Sequence, residues 1–339
     1  MMQAIYSVVV NGQDISNALH PILISLAVSD RAGSASDSAD IEIDDTFGQI
    51  VMPKPRDLLE IKLGWKDQGF ATVFIGKVDE VGARGSRSGR TLSIGAKGMD
   101  TRGKAKQKQR RHFDDSTISD ALKAAGQTAG LSVVVDKAFA SIRRPYIALD
   151  DESFVAFGER MARELGGTFK IVGNTAVLAK RNGGQNPAGQ DLPAVVAQWG
   201  VNLHSYDIHP ILGRPVEKEA SARWYDSGAA EWQSETAETG TDDAETTRSS
   251  VYSEPDQDSA GERSKSDAAE SDRRSGDGSV TIEGNIAAQP EGTCVVVGCR
   301  AGIDGTYRIE GVDHSYSRSG FITTLELRQP KDGAGRDTR

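Results

Sequence analysis

The 339-residue chain is long enough for two or three domains with their own cores, since a domain typically takes about 100–150 residues. Hydrophobic residues make up only 37% and the net charge is −9, so part of the chain is expected to add little to any core. No run approaches the roughly 18 apolar residues of a membrane span, so no membrane anchor is expected. The start, MMQAIYSVVVNGQD, lacks a basic leader followed by a long apolar core; synthesis in the cytoplasm without a secretory signal is the expectation. Cys294 and Cys299, in CVVVGC, would fall on opposite faces of a strand, which disfavours a local disulfide or a shared metal.

The first hundred residues alternate as a β domain should. Ile22, Ile24, Leu26 and Val28 occupy every second position, Ile41 and Ile43 repeat the pattern, and Leu59, Ile61, Leu63 and Trp65 share one face of LLEIKLGW. TVFIGKV and TLSIGAKG add short strands, and together these imply a barrel or sandwich, not a nucleotide-binding βαβ fold. Between Lys77 and Arg111 stand 11 basic residues against 3 acidic ones, concentrated in RGSRSGR and RGKAKQKQRR. Such a run can grip phosphates, but without interleaved aromatic residues to stack on bases it reads better as a solvated loop or a docking surface.

Near residue 114 the period becomes helical. Ile118, Ala121, Leu122 and Ala125 share a stripe, with Asp and Ser residues ahead as caps and Gly130 as terminator before LSVVV. The plan then repeats: acidic caps, a stripe of Phe154, Phe157, Met161 and Leu165, a stop at Gly166-Gly167, and two strands about Gly173-Asn174. RNGGQNPAGQDLP reads as a flexible link, and strands resume from about Ala194 to Tyr225. From Asp226 to Asp277 there are 15 acidic residues against 5 basic ones and few large apolar side chains. That composition predicts a mobile connector or insertion, with a helix from about Ser259 to Arg274. Four further strands follow.

The motif Asp313-His314-Ser315 sets acid, imidazole and hydroxyl side by side, but neighbours on a strand face alternately and cannot form a relay. Tyr307 and Ile309 alternate in one phase, and Val312, His314 and Tyr316 in another, so a bulge is expected at Gly311. No phosphate loop, nucleophile elbow or zinc spacing occurs; His204 and His209 follow no ligand pattern, and solvation accounts for Glu159 and Glu164. No enzyme site, cofactor or metal is expected.

The order of these pieces resembles the late control protein D family of contractile-tail phages, the baseplate hub proteins. The resemblance is carried above all by GNIAAQPEGTCVVVGCRAGIDGTYRIEGVDHSYSRSGFITTLELR and by SFVAFGERMARELGGTFKIVGNTAVLAKR; residues 226–277 depart from it in length and acidity. It implies an α+β, mainly β fold, with two tube-protein-like β-barrel domains and a small α+β module between them. The corresponding division is a first barrel at 1–112, the module at 113–181, a linker and the start of a second barrel at 182–225, the acidic insertion or connector at 226–278, and the rest of the second barrel at 279–339. It further implies a homotrimer in the tail baseplate of a virion, adapting a sixfold tail tube, or its initiator protein, to a threefold spike among other baseplate proteins. DNA would meet it only in transit through a channel, where acidic excess suppresses sticking. A related secretion-system spike complex, or a tail-associated cell-wall hydrolase, are the alternatives. Arg84, Arg87 and Arg90 are the candidate contact residues toward other subunits or tail components.

Overall fold

The computed structural model describes residues 3–33, 35–87, 89–181, 184, 190–212, 217–241, 244–337 and 339. The first part holds β1 (Ala4–Val10), β2 (Gln13–Asp14), α1 (Ser16–Leu19), β3 (Leu23–Arg31), β4 (Ser38–Asp44), β5 (Leu58–Trp65), β6 (Gly69–Ser86) and β7 (Gly89–Lys97). Leu26, Val28, Ile41, Ile43, Leu59, Ile61 and Leu63 all point into one core, as period-two alternation requires when one face is buried. The two short strands expected at TVFIGKV and TLSIGAKG are longer. Residues 69–77 of β6 pair with β5, whereas 77–86 pair with β7, so one bent strand serves two partners and curls the sheet.

The module follows as β8 (Lys108–Thr117), α2 (Ile118–Ala129), β9 (Ser132–Val135), α3 (Lys137–Ala140), β10 (Arg143–Ser153), α4 (Phe154–Leu165), β11 (Gly167–Val172) and β12 (Thr175–Lys180). Both expected helices form on the expected stripes, and Gly130 and Gly166 end them at φ 76° and 64°, where a side chain would be strained. The caps are Thr117 and Ser153, not the acids before them. Asp114 and Asp115, and Asp150 and Asp151, belong to an antiparallel ribbon of β8 with β10, where pairing displaces them from capping positions.

β13 (Val195–Gln198) and β14 (Leu203–His209) lead to a small sheet of β15 (Glu217–Asp226), β16 (Glu231–Glu238) and β17 (Thr246–Ser249), covered by α5 (Gln257–Arg273). This corrects two expectations. Glu217–Asp226 pairs in the small sheet and not with the second β part, and the acidic stretch is largely folded. The side chains buried between the small sheet and its helix are small or paired: Ala220 and Ala222 on β15, and Ser259, Ala260, Ser264, Asp267 and Ala268 on α5. Small residues permit close backbone approach without apolar bulk, which is why composition alone reads as mobile. The link expected at residues 181–193 lies largely outside the described residues.

β18 (Asp277–Glu283), β19 (Thr293–Val297), β20 (Gly305–Ser317) and β21 (Gly320–Lys331) complete the chain. One 13-stranded sheet runs β14-β18-β21-β20-β3-β4-β7-β6-β5-β1-β2, with β13 and β19 attached at β20. Val280, Ile282, Cys294, Val296, Tyr307 and Leu325 form the second β core. The expected bulge is present: β20 shifts register between Ile309 and Gly311, pairing with β19 before it and with β3 after it. A Cβ on Gly311 would lie 2.5 Å from Arg31 Cδ, so a side chain there would push the Arg31 side chain aside. The architecture is mainly β with the module between its β parts, as expected. The two β parts, however, are curled, open halves of one sheet and do not close into barrels.

Candidate functional site

The polar motif of β20 is structural. His314 is 5% exposed, and its Nδ1 lies 3.0 Å from Thr323 Oγ1. That hydroxyl accepts the Asn285 N–H at 2.9 Å, leaving its own proton for the imidazole. Burial pushes the His314 pKa down to about 4, against weaker opposing pulls from Asp30 and Asp313. Asp313 faces the other way, where it accepts from Ser29 Oγ and pairs with Arg31 Nη2 at 2.6 Å. A neutral base and an acid on opposite faces cannot relay a proton. Burial also pushes the Cys294 thiol up to about 12, away from nucleophilic use. Among the described residues, no three His, Cys, Asp or Glu side chains gather as metal ligands.

What the fold exposes is a basic hairpin tip beside apolar side chains. RGSRSGR is the tip of the β6–β7 hairpin, with Arg84 opposite Thr91, Gly85 opposite Arg90 and Ser86 opposite Gly89. It is therefore more regular than a loop. Arg84, Arg87 and Arg90 are exposed, and no described carboxylate forms an ion pair with them. The hairpin is braced by the 44–50 turn: the Asp45 N–H donates to the Arg90 carbonyl at 3.0 Å, Asp44 Oδ1 accepts from the Thr46 N–H, and Asp45 Oδ1 accepts from the N–H groups of Gln49 and Ile50. This turn carries Phe47, 84% exposed, and leads to Val51, 89% exposed. Beneath residues 50–54 lies an apolar cleft of about 540 Å³, lined by Val10, Ile15, Ile41, Ile43 and Ile94. Alternation did not flag Phe47 or Val51, because one sits in a turn and the other in the irregular segment after it; apolar residues that match no period are the signal that could have found them.

Two edges of the sheet are also open among the described residues. Residues 70–75 of β6 pair with β5 and not with β7, and Leu58, Phe70 and Ile75 are exposed beside them. At one end of the sheet β14 pairs with β18, and its further side makes only the single bridge from Leu203 to Trp199 among the described residues. There Val196, Trp199 and Val201 are exposed, with Trp199 edge-on to Tyr206 at 5.6 Å.

No family model matches the chain. It is 28% identical over 222 residues to the probable baseplate hub protein of Escherichia phage P2, covering 65% of this chain and 56% of that protein. It is 27% identical over 221 residues to the corresponding protein of Escherichia phage 186, covering 65% and 55%. The chain thus spans little more than half the length of these curated relatives. In structure it resembles the tail protein from Neisseria meningitidis MC58, with a TM-score of 0.72, 18% identity and 98% of each chain covered. The chain is a sequence relative of phage baseplate hub proteins and shares the fold of the Neisseria tail protein.

Proposed function

We propose that this protein is the structural baseplate hub of a contractile tail, a homotrimer that joins a sixfold tail tube to a threefold spike. The observation carrying this reading is the pair of open, apolar edges on a single sheet, one along residues 70–75 of β6 and one at β14. These edges offer unpaired backbone groups and exposed Leu58, Phe70 and Ile75 or Val196, Trp199 and Val201. Two separate surfaces of this kind invite head-to-tail association, and a rotation that closes after three copies satisfies both. Two curled halves per copy then set six similar units around one axis, which is the geometry that bridges sixfold and threefold partners. The module at residues 113–181 lies at the periphery of that ring. Kinship with the hub proteins of P2 and 186 supports the phage setting over a secretion-system spike.

The role is mechanical, with spike, tube and neighbouring baseplate proteins as partners, and its place is the virion tail. The basic β6–β7 tip with its apolar neighbour Phe47 is the surface assigned to an adjacent tail component. Solution mass measurement of the purified chain tests the reading. A trimer showing a threefold ring with a central hole is expected. A strict monomer at high concentration, with and without spike, would overturn it.

A further inference from the structure

The seam between α4 and α5 holds a cavity of about 300 Å³ whose walls are crowded with guanidinium groups. This size is at the lower end of small-ligand sites, about 300–1,000 Å³. Asp267 is shared by Arg263 at 3.0 Å and Arg248 at 3.9 Å, and Glu270 by Arg181 at 3.1 Å and Arg274 at 2.9 Å. Glu159 is the third lining carboxylate, and Arg163 lines the same wall with no carboxylate in ion-pair range among the described residues. Arg273 also borders the cavity but is engaged by Glu291 and Glu310 outside it. Setting Arg273 aside, five guanidiniums face three carboxylates, a local excess of two positive charges in a chain whose net charge is −9.

Three of the five guanidiniums are partly buried: Arg181, Arg248 and Arg263 are 24%, 32% and 30% exposed and Asp267 is 10% exposed, so solvent screens their repulsion less than on an open surface, whereas Arg163 and Arg274 stand exposed at the rim. Each guanidinium presents a planar fork of donors matched to tetrahedral oxyanions. We propose that the cavity binds a phosphate-class anion, either free inorganic phosphate or the phosphate end of a nucleotide, and that this anion ties the acidic insertion to the α+β module. The proposal concerns the seam alone and does not depend on the hub reading.

Calorimetric titration of the full chain at constant ionic strength, with inorganic phosphate in one arm and ADP in the other, tests it. Saturable binding of phosphate is expected, with a rise in melting temperature that chloride does not reproduce. Similar midpoints for the two ligands assign recognition to the phosphate oxygens, and a tighter midpoint for ADP assigns the nucleotide as the source. Arg163→Gln should weaken binding about tenfold, the loss of one charge-assisted hydrogen bond. Its melting temperature in chloride should hold, because it breaks no described ion pair. Arg110→Gln, on the exposed β8–β10 ribbon, should bind as the unmodified chain does. No saturable binding in either arm, or equal weakening by the two substitutions, overturns the proposal.

Discussion

Arg273, at the last turn of α5, is 3% exposed, and its Nη2 lies 2.5 Å from Glu310 Oε2 on β20 and 2.9 Å from Glu291 Oε1. The pair fastens the acidic insertion to the strand shared by both halves of the large sheet. Burial works against the guanidinium charge, but Glu291 and Glu310 outweigh it and raise its pKa.

Removing that one charge takes the guanidinium from between two partly buried carboxylates. Arg273→Met is expected to cost about 3–5 kcal/mol, read as a lower urea midpoint. Adding Glu291→Gln and Glu310→Gln should recover part of the loss. A single substitution within about 0.5 kcal/mol of the unmodified chain, the range of ordinary surface changes, would contradict this account.

Two buried groups give opposing pH dependence. His314 titrates near 6.5 when unfolded and near 4 when folded, so its contribution is complete above pH 6.5 and is lost as pH falls toward 4, by about 3 kcal/mol at most. Asp37 is raised to about 6, by desolvation first and then by the Asp30 charge, against the pull of Lys170. Its contribution is complete below pH 3.8 and is lost as pH rises through 6. His314→Gln should therefore retain more stability at pH 4.5 relative to pH 7 than the unmodified chain, and Asp37→Asn should retain less. Urea unfolding at the two pH values measures both, and unchanged ratios would count against the assignments.

Gly158 and Gly261 are both helical glycines with opposite surroundings. A Cβ on Gly158 would lie 2.6 Å from Phe169 Cδ2 and closer still to the ring's far edge, whereas one on Gly261 meets nothing within 4 Å. Alanine gains about 1 kcal/mol of helix propensity at either position, but overpacking costs about 1–3 kcal/mol. Gly158→Ala should then be neutral to destabilising by about 2 kcal/mol, and Gly261→Ala stabilising by up to about 1 kcal/mol. Thermal unfolding of the two variants distinguishes them, and the same sign and size for both would refute the packing argument.

Self-association should depend on the exposed end of the sheet. Trp199→Asp places a charge in the Val196–Val201 patch and is expected to shift sedimentation toward the monomer while far-ultraviolet circular dichroism stays unchanged. Retention of the oligomer would remove that patch from the proposed interface.

Reversing the charges of Arg84, Arg87 and Arg90 together to Glu should lower the yield of assembled tails without changing solution mass, because the tip of β6 pairs with β7 and is separate along the strand from the open stretch at residues 70–75. Undiminished tail yield would discard the hairpin as a docking surface.

Where a single element buries one face, the chain was legible. The stripes of α2 and α4, their glycine stops, the alternation of β3, β4 and β5 and the phase slip at Gly311 all follow from local geometry that each segment carries in itself. The acidic insertion was not legible, because its core is made of alanine and serine and its charges are neutralised by distant residues such as Arg144 for Glu262 and Glu310 for Arg273.

Sequence alone determined the alternating strands β3, β4 and β5, the striped helices α2 and α4, and that His314 could not work with its neighbours, since strand and helix periods dictate facing without reference to the rest of the molecule. Only the tertiary structure decided that the two β parts share one open sheet, that Phe47 stands beside the basic hairpin, and that five arginines from four separate elements converge on one cavity. Those relationships join residues far apart in the chain, and neither hydrophobic period nor composition encodes which distant segment a surface will meet.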